Sequence, residues 1–223
     1  MYDLASSNRS YMLLYFNKAM LKIGFPYRKT QAALFYDIAV CRSDMNFEVD
    51  DMLNMISLFG TKTAYPHEYK MPGDAVIRER PYLVYFPTAS VDYKCWSSDN
   101  FSNLISKMSA SYPQYDHIIL KGVQQWEIDI ADDIIQSQQC ENIHALSTKT
   151  IEEATALIKG ATMVVSNDTG IRHLAIVSNI PTIGILISVQ PFRYWPRSDI
   201  HDVVLLNDEG QPSVNQALSV CEN

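Results

Sequence analysis

The chain has 223 residues, 47% hydrophobic and 19% charged, the make-up of a soluble globular protein with room for one large domain or two small ones. Its 18 Lys and Arg against 25 Asp and Glu leave a formal charge of −7. That excludes the broad basic face of a general nucleic-acid binder, but not a local basic pocket for a phosphate. Cys41, Cys95, Cys140 and Cys221 stand far apart with no CxxC pair. Neither a disulfide framework nor a cysteine metal site is expected, and a reducing compartment fits. No apolar run approaches a membrane span, and the start MYDLASSNRS lacks a secretory signal. A cytoplasmic location is the expectation, and peripheral contact with a membrane is compatible with it.

Residues 1–72 read as helical and irregular. Residues 11–23 are mainly apolar, and Gly24 with Pro26 beyond it forms a helix stop. Residues 31–40 suit a strand or a helix. Residues 47–59 carry Val49, Met52, Leu53, Met55, Ile56 and Phe59, mostly at helical spacing, before Gly60. Asp44, Glu48, Asp50 and Asp51 lie in or near the first turn. Carboxylates suit the helix dipole there, so a solvated face explains them without catalysis. Residues 61–79, with Pro66, Pro72 and Gly73, have the make-up of a linker.

A regular alternation begins after Pro81. Residues 82–86 are a strand, and a long loop spans residues 87–98. Ser98 caps a helix with Phe101, Leu104, Ile105 and Met108 on one face. Residues 117–120 form a second strand, leading into Lys121-Gly122. Residues 126–137 form a helix with Ile130, Ala131, Ile134 and Ile135 inward, and Asn142-Ile143 is a minimal third strand. Thr150 and Glu153 make a capping box for a helix over 151–159, closed by Gly160. Residues 163–166 are a fourth, buried strand, stopped by Asn167-Asp168-Thr169-Gly170. A helix over 171–177 buries Ile171, Leu174, Ala175 and Val177, and Asn179 and Pro181 end it before a fifth strand over 182–186. An aromatic, proline-flanked segment with Arg193 follows, then a last strand over 203–206 and a closing helix over 213–221. Repeated β-α units of this kind demand an α/β fold, a parallel sheet covered on both faces.

In such a sheet, ligands bind where loops leave the carboxyl ends of the strands. Those loops carry Thr88, Ser90 and Lys94, then Lys121 and Gly122, then Asp168, Thr169, Gly170 and His173. Hydroxyls, ammonium groups and a helix N-terminus are what a diphosphate needs. A lysine at position 94 also neutralises charge on a leaving phosphate. Each residue has a plainer reading too. Asp168-Thr169 would simply cap the helix, His173 would be an exposed helical residue, Lys94 would lie on Trp96, Ser90 would be plain loop, and Gly122 would make a turn. Other site types are absent: no GxGxxG follows the first strand, and there is no GxxxxGK[ST] loop and no GxSxG elbow. His67, His117, His144 and His201 make no metal spacing.

Residues 165–175, VSNDTGIRHLA, followed by Ile180-Pro181-Thr182, resemble the signature of glycosyltransferase family 9, the heptosyltransferase-like enzymes. That signature is a strand, a D-[ST]-G-x-x-H-L-A segment and a Pro-led strand. Residues 88–96, TASVDYKCW, are similar to the family's hydroxyl-rich loop ending in K-x-W, and residues 150–159 to the helix before the signature. The match runs from about residue 81 to 186. A weaker one covers Ile23-Gly24 and the stretch from Phe47-Glu48-Val49 to Leu58-Phe59-Gly60.

The resemblance implies a GT-B-type α/β protein. Residues 1–72 would be a partial, mostly helical acceptor-side part of an incomplete N-terminal α/β domain. Residues 73–80 would link it to a Rossmann-like parallel-sheet domain over 81–223 that binds a nucleotide-sugar donor. The implied activity is inverting, metal-independent transfer of a sugar, typically from ADP-heptose, to lipopolysaccharide core or a related glycan, with no cofactor, at the inner face of the bacterial membrane. Carried over by position, Ser90 and Lys94 would contact the donor phosphates. Asp168, Thr169, Gly170 and His173 would cradle the diphosphate or support that loop, with Thr88 in the hydroxyl-rich loop and Gly122 near the nucleotide.

The chain departs from the family in three places. The family's catalytic base comes from a glycine-aspartate loop that nothing here matches, so no catalytic residue is assigned. Its acidic nucleoside contact has no clean equivalent, Glu127 being shifted. Its F-G-P-T segment is replaced by residues 185–191, ILISVQP. A non-catalytic nucleotide-sugar-binding module is the alternative.

Overall fold

A computed structural model describes residues 1–65, 67–187, 191–206 and 210–222. Two units compose it: Met1–His67 with Phe192–Tyr194, and Glu68–Pro191 with Trp195–Asn223.

The first unit has three two-residue parallel strands, β1 (Tyr2–Asp3), β2 (Ile23–Gly24) and β3 (Ile38–Ala39), in that order. Helices α1 (Asn8–Phe16) and α2 (Lys29–Phe35) connect them, and α3 (Glu48–Ser57) follows. Residues 11–23 are therefore not one helix. Its C-cap is Asn17, and the apolar end of the stretch is a buried strand. Gly24 stops no helix. It makes room for Tyr36, whose Cζ would lie 2.7 Å from a Cβ there. Residues 31–40 are helix and then strand, a division that apolar spacing alone leaves open. Of the carboxylates near α3 only Asp44 is largely solvated, its side chain 76% exposed. Asp51 is buried and accepts from Ser43 N and Asn46 Nδ2, and Glu48 pairs with Arg42 and Arg193.

The second unit is a six-stranded, all-parallel sheet: β4 (Tyr82–Phe86), β5 (Asp116–Lys121), β6 (Ile143–Ser147), β7 (Met163–Asn167), β8 (Thr182–Ile185) and β9 (His201–Val204). Its order is β6-β5-β4-β7-β8-β9. Helices α4 (Ser98–Ser111), α5 (Gln125–Gln136), α6 (Ile151–Gly160), α7 (Gly170–Val177), the short α8 (Pro191–Tyr194) and α9 (Val214–Cys221) complete the chain. The strand order reverses between β4 and β7, which opens a crevice at their carboxyl ends.

Alternation along the strands supplies both faces. Leu83 and Tyr85 enter one core with Trp96, Phe101, Leu104 and Ile134. Tyr82, Val84 and Phe86 enter the other with Leu157, Ile158 and Ala175. A period of two lets every β4 side chain be buried.

Several boundaries differ from the sequence expectation. Ser97, not Ser98, caps α4. The third strand is five residues long, because an edge strand tolerates polar residues such as His144 and Ser147 that mask it in sequence. The last strand starts at His201, two residues early. Within the expected linker, Val76 N bonds Ala156 O, and Lys159 Nζ bonds Met71 O and Gly73 O. Pro66 of that stretch, and Ser188, Val189 and Gln190 of the aromatic segment, lie outside the described residues. Among the described residues no helix is long and apolar enough to cross a membrane.

Candidate functional site

The crevice has two walls. One is the loop leaving β4, and the other is the turn between β7 and α7. Their strands pair in register, Phe86 beside Ser166. Asn167 closes β7 and is fully buried. Its Oδ1 accepts the Trp96 N–H at 2.9 Å, and its Nδ2 donates to Pro87 O at 2.8 Å. One amide thus pins both ends of the loop over residues 87–96 to the turn beside it. Sequence reasoning passed over Asn167. Its only signal is a polar residue at the end of an apolar strand.

Within that loop, Ser90 is exposed and Lys94 half-buried. Lys94 ends a 3-10 turn, Asp92–Lys94, and has no ion-pair partner among the described residues. The plainer reading of Lys94, lying on a surface Trp96, does not hold. Trp96 is 1% exposed, inside the core, and donates Nε1–H to Pro212 O at 2.9 Å. Thr88 is buried as well, its hydroxyl 3.4 Å from Glu127 Oε1.

The loop after β5 is committed to structure. Glu127 Oε2 accepts from Val123 N at 3.0 Å and Gln124 N at 2.9 Å, capping α5. Gly122 exists for that carboxylate: a Cβ there would lie 2.5 Å from Glu127 Cδ. Lys121 is salt-bridged to Asp132, so it is not the second free ammonium group the sequence suggested.

The turn after β7 is different. Thr169 is the N-cap of α7, and its Oγ1 accepts the Ile171 N–H at 3.2 Å. Gly170, the first helical residue, is exposed, and a Cβ on it would meet nothing within 4 Å. The start of α7 is therefore open on the side of Gly170, and a helix N-terminus with room beside it suits an anion. The helix buries Arg172, Ala175 and Ile176, with Ile171 and Leu174 packed less deeply. Arg172 was not foreseen as an inward residue.

Asp168 Oδ1 lies 3.8 Å from Arg172 Nη1 and 3.6 Å from His173 Nε2. Burial, opposed by the Asp168 charge, brings the Arg172 guanidinium down to about 10. Burial and then the Arg172 charge hold His173 below the ordinary histidine value, against the pull of Asp168. His173 is thus a neutral imidazole at neutral pH, its side chain 45% exposed.

The structure therefore brings Ser90, Lys94, Asp168, Thr169, Gly170 and His173 to one edge of the sheet. It assigns Thr88 and Gly122 to the support of Glu127. What remains is an open helix N-terminus, a free ammonium group on a tethered loop, and hydroxyls, an arrangement that can hold a diphosphate.

Comparison with known proteins identifies the family. The profile of glycosyltransferase family 9 (heptosyltransferase) matches residues 1–220. The chain is 30% identical to lipopolysaccharide heptosyltransferase 3 of Escherichia coli over 119 residues, 53% of this chain and 34% of that protein. It is 22% identical to the lipopolysaccharide core heptosyltransferase OpsX of Haemophilus influenzae over 212 residues, 88% of this chain and 60% of that one. The chain thus spans between a third and three-fifths of the length of these curated relatives. In fold it is similar to the E. coli heptosyltransferase WaaC solved with ADP-2-deoxy-2-fluoro heptose, with a TM-score of 0.77 at 18% identity over 99% of this chain and 70% of that one. The chain belongs to glycosyltransferase family 9, the heptosyltransferase family.

Proposed function

We propose that this chain holds the nucleotide-sugar donor of a glycosyltransferase that moves a heptose onto lipopolysaccharide core or a related surface glycan. The observation that carries this reading is the open space at Gly170, where α7 begins, together with the tie by which Asn167 holds both ends of the Lys94 loop to the same turn. The relatives' names support the sugar and the acceptor, and the WaaC structures with ADP and with an ADP-sugar support the donor. On this reading residues 81–223 form the donor-binding domain and residues 1–72 lie on the acceptor side.

The chemistry follows from the charges. An acceptor hydroxyl attacks the anomeric carbon, the bond to the diphosphate oxygen breaks on the opposite face, and configuration inverts. The hydroxyl proton passes to a base that this chain's residues do not identify. Charge growing on the diphosphate is met by the Lys94 ammonium and the first amides of α7, with no metal required.

Titration calorimetry with ADP tests the site. The chain should bind ADP, and Lys94→Ala should weaken binding about tenfold, the scale of one charge-assisted contact. Equal affinity in the two proteins would remove Lys94 from the site. Since no residue matches the family's base, a nucleotide-sugar-binding module is the second reading. Sugar transfer by the purified chain would eliminate it.

We also infer that the first unit meets an anionic membrane surface. In α1, Tyr11 and Leu14 are buried while Met12, Leu13, Tyr15 and Phe16 are exposed. Residues 1–36 carry Arg9, Lys18, Lys22, Arg28 and Lys29 against the single acid Asp3. Exposed apolar side chains on α1, with Arg9 on that helix and the other basic residues in the segments after it, suit contact with an anionic interface.

A further inference from the structure

Arg172 breaks two local rules at once. It is fully buried, 0% exposed, although a charge away from water is strongly disfavoured. It also stands in the first turn of α7, where the helix dipole repels a cation. The fold accommodates it from another element. Residue 184 of β8 is Gly, and a Cβ there would lie 2.8 Å from Arg172 Cζ and collide with Nε. A local conflict preserved by an accommodating residue elsewhere points to function.

A single carboxylate oxygen, Asp168 Oδ1, faces both Arg172 Nη1 and His173 Nε2. Among the described residues, the charged groups around His173 are Arg172 and Asp168. Around Arg172 they are Asp168, His173 and, from β9, His201.

We propose that Arg172 is a positioning residue of the diphosphate turn: seated over Gly184, it engages the Asp168 carboxylate and so holds the His173 imidazole out of an ion pair with that carboxylate. This rests on the donor site proposed above. Arg172 is enclosed and acts through Asp168. Without it, the Asp168 charge is answered by His173, which becomes a cation clamped to the carboxylate. The turn then loses a neutral hydrogen-bonding group where the phosphates bind. The direction of the His173 shift agrees, since the Arg172 charge holds that imidazole down.

The test follows the His173 ring by NMR titration in the full chain, without ligand, together with ADP affinity across neutral pH. Arg172→Met removes the charge, and Gly184→Ala displaces the guanidinium from a different strand. Both should raise the His173 midpoint by about one pH unit, the scale of losing one close charge. Both should also weaken ADP binding about tenfold. Arg172→Lys should restore the wild-type midpoint in large part, which a purely packing role would not require. An unchanged His173 midpoint in folded Arg172→Met or Gly184→Ala overturns the proposal. If Arg172→Met fails to fold, Gly184→Ala and Arg172→Lys decide. A wild-type chain that does not bind ADP refutes the donor site; a midpoint shift in that case still supports the Arg172–Asp168–His173 arrangement.

Discussion

Asn167 and Trp96 are 71 residues apart, yet the Asn167 side chain accepts the Trp96 backbone N–H at 2.9 Å inside the protein. The same amide donates to Pro87 O. Asn167→Ala strands a donor and an acceptor in a site with no access to water. Each loss costs about 1–3 kcal/mol, so the substitution should destabilise the fold by roughly 2–6 kcal/mol. Freed at both ends, the Lys94 loop should also bind ADP less tightly. Urea unfolding and calorimetry on one preparation check both effects. A wild-type unfolding midpoint would show that the bridge contributes nothing.

The elements read correctly from sequence are those whose neighbours in the chain determine them. β4 and β7 are continuous apolar runs, and only the centre of a parallel sheet suits such runs. β6 and β9 are edge strands with polar positions, so both were misplaced. The box at α6 was half right. Thr150 accepts from Glu153 N, but the Glu153 carboxylate takes the Lys149 N–H. Asp168, Thr169 and Gly170 were legible as a turn because turn chemistry is local. Asn167 and Arg172 were not. Their burial depends on Pro87, Trp96 and Gly184, and no periodicity near residue 170 encodes those partners.

Two glycines of the candidate site should respond to alanine in opposite ways. At Gly122 the new methyl meets the Glu127 side chain, which must leave its bonds to Val123 N and Gln124 N. A loss of about 1–3 kcal/mol is expected, with ADP affinity changed only through that loop. At Gly170 the methyl enters open space in a helix. Stability should hold or rise by up to about 1 kcal/mol. Affinity for ADP should nevertheless fall about tenfold, because the methyl occupies the anion's place. Undiminished binding by Gly170→Ala would move the ligand away from the start of α7.

Sedimentation with lipid vesicles tests the membrane contact of the first unit. The chain should pellet with phosphatidylglycerol-containing vesicles and stay in solution with neutral phosphatidylcholine. Salt should release it, because each basic residue near an anionic surface contributes about 1 kcal/mol, screened within a Debye length. Replacing exposed Met12 and Phe16 by serine should reduce binding without changing the fold, since neither is part of the core. Equal partition to neutral and anionic vesicles would remove the role of Arg9, Lys18, Lys22, Arg28 and Lys29.

His201 makes the fold sensitive to acid. It is 5% exposed at the start of β9, its Nδ1 3.0 Å from Thr182 Oγ1. Burial first, and then the Arg172 charge, push it from 6.5 down to about 4. The unfolded chain therefore takes up this proton near the ordinary histidine value, and the native protein does so only well below it. Above that value both states are neutral and the contribution is fully present. It is lost as pH falls through the window down to about 4, a total of roughly 3 kcal/mol. His117 and His173 are also held low, so they add to the loss with the same sign. Urea unfolding across this range should show stability falling with acidification. His201→Gln keeps a group able to bond Thr182 and removes one titrating site. Its curve should be shallower by about 1.4 kcal/mol per pH unit inside the window and parallel to wild type above it. Parallel curves throughout would mean that His201 takes up its proton at the same pH in the native and unfolded chains, and that neither burial nor the Arg172 charge holds it down.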